Sequence, residues 1–397
     1  MTVGIERDET IERGELFLAR VREIAEAVAA KHAHEVDRDA RFPVEAISAL
    51  RAVDALSAFV PERLGGAQVP LHSIARACFE LGRRCASTAM VFAMHQIQVV
   101  TIARHLERSP WFEDYLRSLT DEQRLIASVT SEVGTGGDMG RSIAAVTDAG
   151  DGQVAFEKQA STVSYGAQAD DLLTTVRRAP EAQPGDQVLA ITLAGQATLE
   201  PSGTWDTLGM RGTCSPGFVV RARLGAEQVL GTPFARIATE SLVPVSHILW
   251  SHVWLGIATD AFERGRSFLR AAARRRPDEL VPAAHSLSRV MSELSLLRSE
   301  VDSGLRKFLA MNEEPDRERL STMAAVLRFN NLKLAASEQA PRVCQGVLEA
   351  IGIAAYANNS PFSVGRHLRD SLSARLMVAN DRIHAIDAGL LLIAKEA

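Results

Sequence analysis

The chain has 397 residues, room for two or three domains; 46% are hydrophobic and 23% charged, as in ordinary globular proteins. With 44 Lys+Arg against 49 Asp+Glu the formal net charge is −5, a poor match to a nucleic-acid backbone binder. Aromatics are only 5%, which argues against base-stacking platforms and aromatic-rich β-sandwiches.

The acidic, polar N-terminus has no basic or apolar leader segment, and no run nears ~20 uninterrupted apolar residues. No membrane span is therefore expected. The first third reads as helix. Phe17, Val21, Ile24 and Val28 recur at helical spacing. Phe42-Pro43 opens a second helix through Ile47, Leu50 and Val53, since proline suits a first turn. A loop with a glycine pair, residues 61–67, separates it from helices over 69–85 and 87–107. Cys78 and Cys85, seven apart, are expected on one face of the first of these. No zinc-type spacing links them or Cys214 and Cys344 to a histidine, so no metal is expected. Free cysteines suit a reducing, cytoplasmic location.

Near residue 122 the long stripes stop. Short β-branched segments follow at 153–156, 171–176, 187–193 and 217–224, divided by turn clusters. They predict a small antiparallel β domain. From about 240 helical periodicity returns, with Leu287, Val290, Leu294, Leu297, Val301 and Leu305 on one face. Helices over 244–275, 317–351 and 376–395 complete a predicted four-helix bundle. The expected fold class is mostly α with a central β domain, divided 1–120, 121–238 and 239–397.

Two segments look chemical. Thr130 to Asp138 holds three glycines between a strand and the remaining sheet, a pattern that lets backbone amides approach a ligand. It is neither a dinucleotide fingerprint nor a Walker loop. Gly209 and Gly212 bracket Arg211 ahead of another strand.

Taken in order, the motifs resemble the acyl-CoA dehydrogenase family along nearly the whole chain. Arg41-Phe-Pro, the 60–66 segment and the 85–95 segment resemble its N-terminal domain. Thr130–Asp138 resembles its TEPxAGSD loop with one extra residue, Leu208–Thr213 its LGMR(A/G)T segment, and Arg369-Asp370 the pair before its last helix. The resemblance implies a homotetramer or homodimer holding FAD between the β domain and the bundle. It implies α,β-dehydrogenation of an acyl thioester, with electrons passed to a flavoprotein or to O₂. Val129, Thr130, Gly137, Thr162, Val163, Ser164 and Asn380 would meet the flavin. Arg274 would reach a partner's pyrophosphate, Glu349 and Gly352 the adenine, and Glu263 and Arg264 the substrate's CoA.

The pattern breaks at the base. The family's two alternative glutamate positions hold Val378 and Ser246, neither of which can take a carbon-bound proton. His247 is the candidate substitute. The other readings are a flavin monooxygenase, which needs no such base, and a non-catalytic flavoprotein.

Overall fold

The computed structural model describes residues 2–275, 281–312 and 316–394. Helices α1 (Thr2–Ile24) and α2 (Ala30–Arg38) run as one rod through a π-helical turn at Ala25–Ala29. Then come α3 (Val44–Arg51), α4 (Leu71–Arg84), α5 (Ala86–His105) and α6 (Pro110–Glu122). Ser109 caps α6 by accepting from Phe112 N, with proline in the first turn. Cys85 sits in extended backbone between α4 and α5, so it does not share a helix with Cys78, although both are buried.

Seven strands follow: β1 (Ile126–Val129), β2 (Thr147–Gly150), β3 (Gln153–Ala160), β4 (Asp171–Arg177), β5 (Gln187–Thr192), β6 (Ala197–Pro201) and β7 (Phe218–Gly225). They form two sheets, ordered β1-β4-β5 and β2-β3-β7-β6. The expectation of a purely antiparallel arrangement fails at one place: β1 and β4 pair in parallel, Ile126 opposite Asp171. A parallel pair needs a long crossover, and the chain from 130 to 170, which carries the β2–β3 hairpin, supplies it.

The last section holds α7 (Phe234–Ile237), α8 (Val243–Arg275), α9 (Ala283–Leu309), α10 (Met323–Ile351), α11 (Ile353–Tyr356), α12 (Gly365–Leu372) and α13 (Asn380–Leu391). Helices α8, α9 and α10 pack mutually, and α13 joins them against α10. The final helix is shorter than its predicted 376–395, because Ser373–Arg375 forms a 3-10 turn and the chain reaches α13 only at Asn380. The mostly helical class with a central sheet region matches the sequence expectation.

Two helices, Ala86–His105 and Phe234–Arg275, are long and apolar enough to cross a membrane. Their apolar windows are 89% and 94% buried inside the molecule, the position of core helices. Helix α8 is buried on nearly all sides from Pro244 to Ala261. It crosses α4 where both backbones lack a side chain. A Cβ on Gly256 would lie 2.4 Å from Phe79 O, and one on Gly82 2.6 Å from Val253 O. Gly256→Ala is therefore expected to cost about 1–3 kcal/mol through overpacking, read as a lowered thermal midpoint. An unchanged midpoint would show that the crossing can relax.

Candidate functional site

One cavity of about 690 Å³ opens between α5, the glycine loop after β1, the 205–215 segment, the start of α8 and the 369–382 region. Its walls are built by long-range ties. Asp370 accepts a hydrogen bond from Met210 N at 2.7 Å, and Arg369 forms an ion pair with Asp37 while donating to Leu208 O at 2.8 Å. Gly209 permits this docking, since a Cβ there would overlap Arg369 O at 2.2 Å. Burial pushes the Asp370 carboxyl up to about 6.

The glycine loop forms one wall. Gly134, Gly136 and Gly137 all have positive φ (89°, 64° and 82°), a conformation other residues adopt at a cost. Glu132 anchors the loop from beneath. It is 5% exposed and accepts from Ser142 Oγ at 2.7 Å, Ile143 N at 3.1 Å and Ala144 N at 2.6 Å. Lys158 Nζ lies 3.3 Å away and also donates to Thr175 O at 2.6 Å. Burial pushes the Glu132 carboxyl up. The Lys158 charge and these hydrogen bonds outweigh it and hold the group below the usual range. Burial brings Lys158 down to about 8, so both groups are charged at neutral pH.

Across from this loop, Met377, Val378 and Ala379 form the opposite lining. Val378 has φ +46°, unusual for a β-branched residue. Buried Lys333 holds this turn by donating to Val378 O at 3.2 Å and to Asn380 Oδ1 at 2.6 Å. Burial pulls the Lys333 ammonium down to about 8. Arg382 leans over the glycine loop: a Cβ on Gly136 would be 3.2 Å from its guanidinium nitrogen. Among the described residues no carboxylate pairs with Arg382.

The predicted flavin contacts divide. Thr130, Gly137, Thr162 and Ser164 line the cavity, while Val129 and Val163 are fully buried behind it. Asn380 is buried beside the lining, bonded to Lys333 and Ser337. Arg274 is exposed at the end of α8, Glu349 is exposed and bonded to Gln345, and Gly352 is exposed after α10. None of these three joins the cavity of its own chain. Arg276, two residues further on, lies outside the described residues.

The predicted CoA contacts also sit elsewhere. Arg264 binds Asp260 at 2.9 Å and the carbonyls of Pro361 and Ser363, and Glu263 pairs with Arg266. Asp260 further binds His367 Nε2 at 2.8 Å and Arg84. Arg264 is thus committed to a tie between α8 and the chain before α12.

Ser246, His247 and Val378 do line the cavity. His247 is 3% exposed, and its Nδ1 meets Phe329 O at 2.9 Å. Burial pushes its pKa down to about 3, so the ring is neutral and a weak base. His95 and His252 are structural: His95 bridges Leu56 O and Ile126 N, and His252 binds Ile248 O. His384 is exposed on α13. The sequence reading missed Gln98, Trp250 and Arg382. Trp250 follows Ser246 by one helical turn, so periodicity pointed toward it, whereas Val378 lies outside α13 and gave no such signal for Arg382.

Among the described residues the lining holds three ionisable groups, Arg369, Arg382 and His247, and no Asp or Glu. The remainder is hydroxyls, backbone and apolar side chains.

Helices, two small sheets and a second set of helices around one deep cavity define an acyl-CoA dehydrogenase-type fold. Residues 12–109 match the family model for the acyl-CoA dehydrogenase N-terminal domain. The amino sugar nitrososynthase DnmZ of Streptomyces peucetius is 26% identical, over 82% of this chain and 81% of that one. Cyclohex-1-ene-1-carbonyl-CoA dehydrogenase of Geobacter metallireducens is 24% identical, over 96% and 98%. The structure of KijD3 in complex with FMN and a dTDP-linked keto amino sugar superposes with a TM-score of 0.82 at 24% identity, covering 97% of this chain and 95% of that one. Residues 12–109 thus match the family's N-terminal domain, and the chain as a whole has the fold of acyl-CoA dehydrogenase-type flavoproteins.

Proposed function

We propose that the protein is a flavin-dependent monooxygenase. The observation that carries this reading is the absence, among the described lining residues, of any carboxylate able to take an α-proton. A general base contributes ~10²–10⁴-fold to such a step. Neutral His247 is a poor replacement. Similarity to a nitrososynthase supports the same reading. A second reading, acyl-thioester dehydrogenation, is favoured by the near full-length match to a CoA-ester dehydrogenase.

The residues present fit a flavin. Ser128, Thr130, Ser131, Thr162 and Ser164 offer hydroxyls and backbone to a polar ring edge. Arg382 and the amides of Gly136 and Gly137 would hold a phosphate. When bound and reduced by an outside donor, a flavin supplies activation of O₂ for transfer of one oxygen atom to substrate. The chain's apolar lining excludes water, and the Lys333–Val378–Asn380 tie fixes the wall opposite the glycine loop. FMN suffices for these contacts. The adenine half of FAD would have to find Arg274, Glu349 and Gly352 on a partner copy. Exposed Ile353, Tyr356 and Leu376 support a homo-oligomer.

Anaerobic titration separates the readings. Butyryl-CoA should leave the oxidised flavin absorbance unchanged, and the reduced protein should consume O₂. Bleaching by butyryl-CoA would establish dehydrogenation instead, and failure to bind FMN or FAD would end both readings.

A further inference from the structure

The helical side of the cavity has its own chemistry. Met90, Met94 and Ile97 line it from α5, with Leu242 just before α8 and Val243 and Trp250 at its start. This part of the lining carries no charged side chain. Its histidine, His247, is held in place by the backbone. The Phe329 carbonyl can only accept, so Nδ1 must carry the imidazole proton, and Nε2 is left as a bare acceptor. Among the described residues Nε2 has no partner. Two further buried residues of the lining also hold unpaired polar atoms, Gln98 Oε1 and Trp250 Nε1. Unpaired buried polar groups are costly unless a ligand uses them.

We propose that His247 Nε2 is the hydrogen-bond acceptor of a substrate pocket built for a neutral, largely apolar ring compound bearing an O–H or N–H donor. The inference rests on the oxygenase reading above. A carboxylate would face the acceptor nitrogen with no cation to meet it and the unpaired Trp250 Nε1–H as a donor. A cationic amine would find no counter-charge. An apolar ring fits the methionine and tryptophan walls, and its single donor fixes which edge is presented to the flavin side of the cavity.

The test is calorimetric binding to the flavin-loaded full chain, using three compounds with one ring system: 2-naphthol, 2-methoxynaphthalene and 2-naphthoate. The phenol should bind at least ~10-fold tighter than its ether, the worth of one buried hydrogen bond, and the carboxylate weaker than both. His247→Leu should erase the preference for the phenol while leaving ether binding unchanged. His247→Gln, whose amide can donate to Phe329 O and still present an oxygen, should restore it. Equal binding of phenol and ether by the unmodified protein would overturn the proposal. So would tighter binding of 2-naphthoate, butyryl-CoA or dTDP, or a phenol preference that survives in His247→Leu. The unmodified protein alone decides the ligand series if a variant does not fold. Binding requires no turnover, so this result stands or falls separately from oxygen consumption.

Discussion

Glu132→Gln is expected to destabilise the protein by about 3–5 kcal/mol at neutral pH, because it leaves the Lys158 ammonium buried without its counter-charge. The effect should appear as a large drop in thermal midpoint together with loss of bound flavin, since Glu132 holds the two ends of the glycine loop together through Ser142, Ile143 and Ala144. Its pH dependence has a definite sign. The folded carboxyl lies below its unfolded value. The stabilisation is therefore present above the unfolded pKa, ~4.3, and fades as pH falls through the lower folded value. The stabilities of variant and parent should converge in acid. A constant gap across that range would show that the carboxylate charge is not what anchors the loop.

Arg382→Glu is expected to weaken flavin binding on the order of 100-fold, with Arg382→Lys retaining much of the affinity. The side chain lies over Gly136 and Gly137, where a phosphate would meet both the guanidinium and backbone amides. Thermal stability without flavin should barely change, because no carboxylate among the described residues pairs with this arginine. Titration of the apo-protein, followed by quenching of flavin fluorescence, reads the result. Unchanged affinity would remove Arg382 from the phosphate site.

The fold was legible in the sequence because its signals are local. The stripe from Leu287 to Leu305 needs only helical spacing to be read, and all of it but Leu305 is fully buried in α9. The parallel pairing of β1 with β4 was not legible, since strand direction depends on how a forty-residue crossover travels rather than on strand composition. The glycine-loop side of the cavity was legible, since Thr130, Gly137, Thr162 and Ser164, all singled out in the sequence, line it. Arg264 was not, because its charge pattern on α8 suits a solvated face, a substrate contact or the internal tie to Asp260 equally well. His247 shows the same limit in another form. Sequence spacing brought it beside Ser246, but only the Phe329 carbonyl decides which ring nitrogen carries the proton.

The ties that close the cavity also set the order in which it can be made. Asp37 pairs with Arg369, and Met210 docks on Asp370. The cavity wall thus joins the second helix to the penultimate one, across more than three hundred residues of chain. During synthesis the N-terminal helices and the sheets emerge first and have nothing to close against. The pocket is finished only when the last helices leave the ribosome. Until then the lining from α5 and α8 lacks the wall at 369–382, and an unfinished pocket is a place where a nascent chain can aggregate.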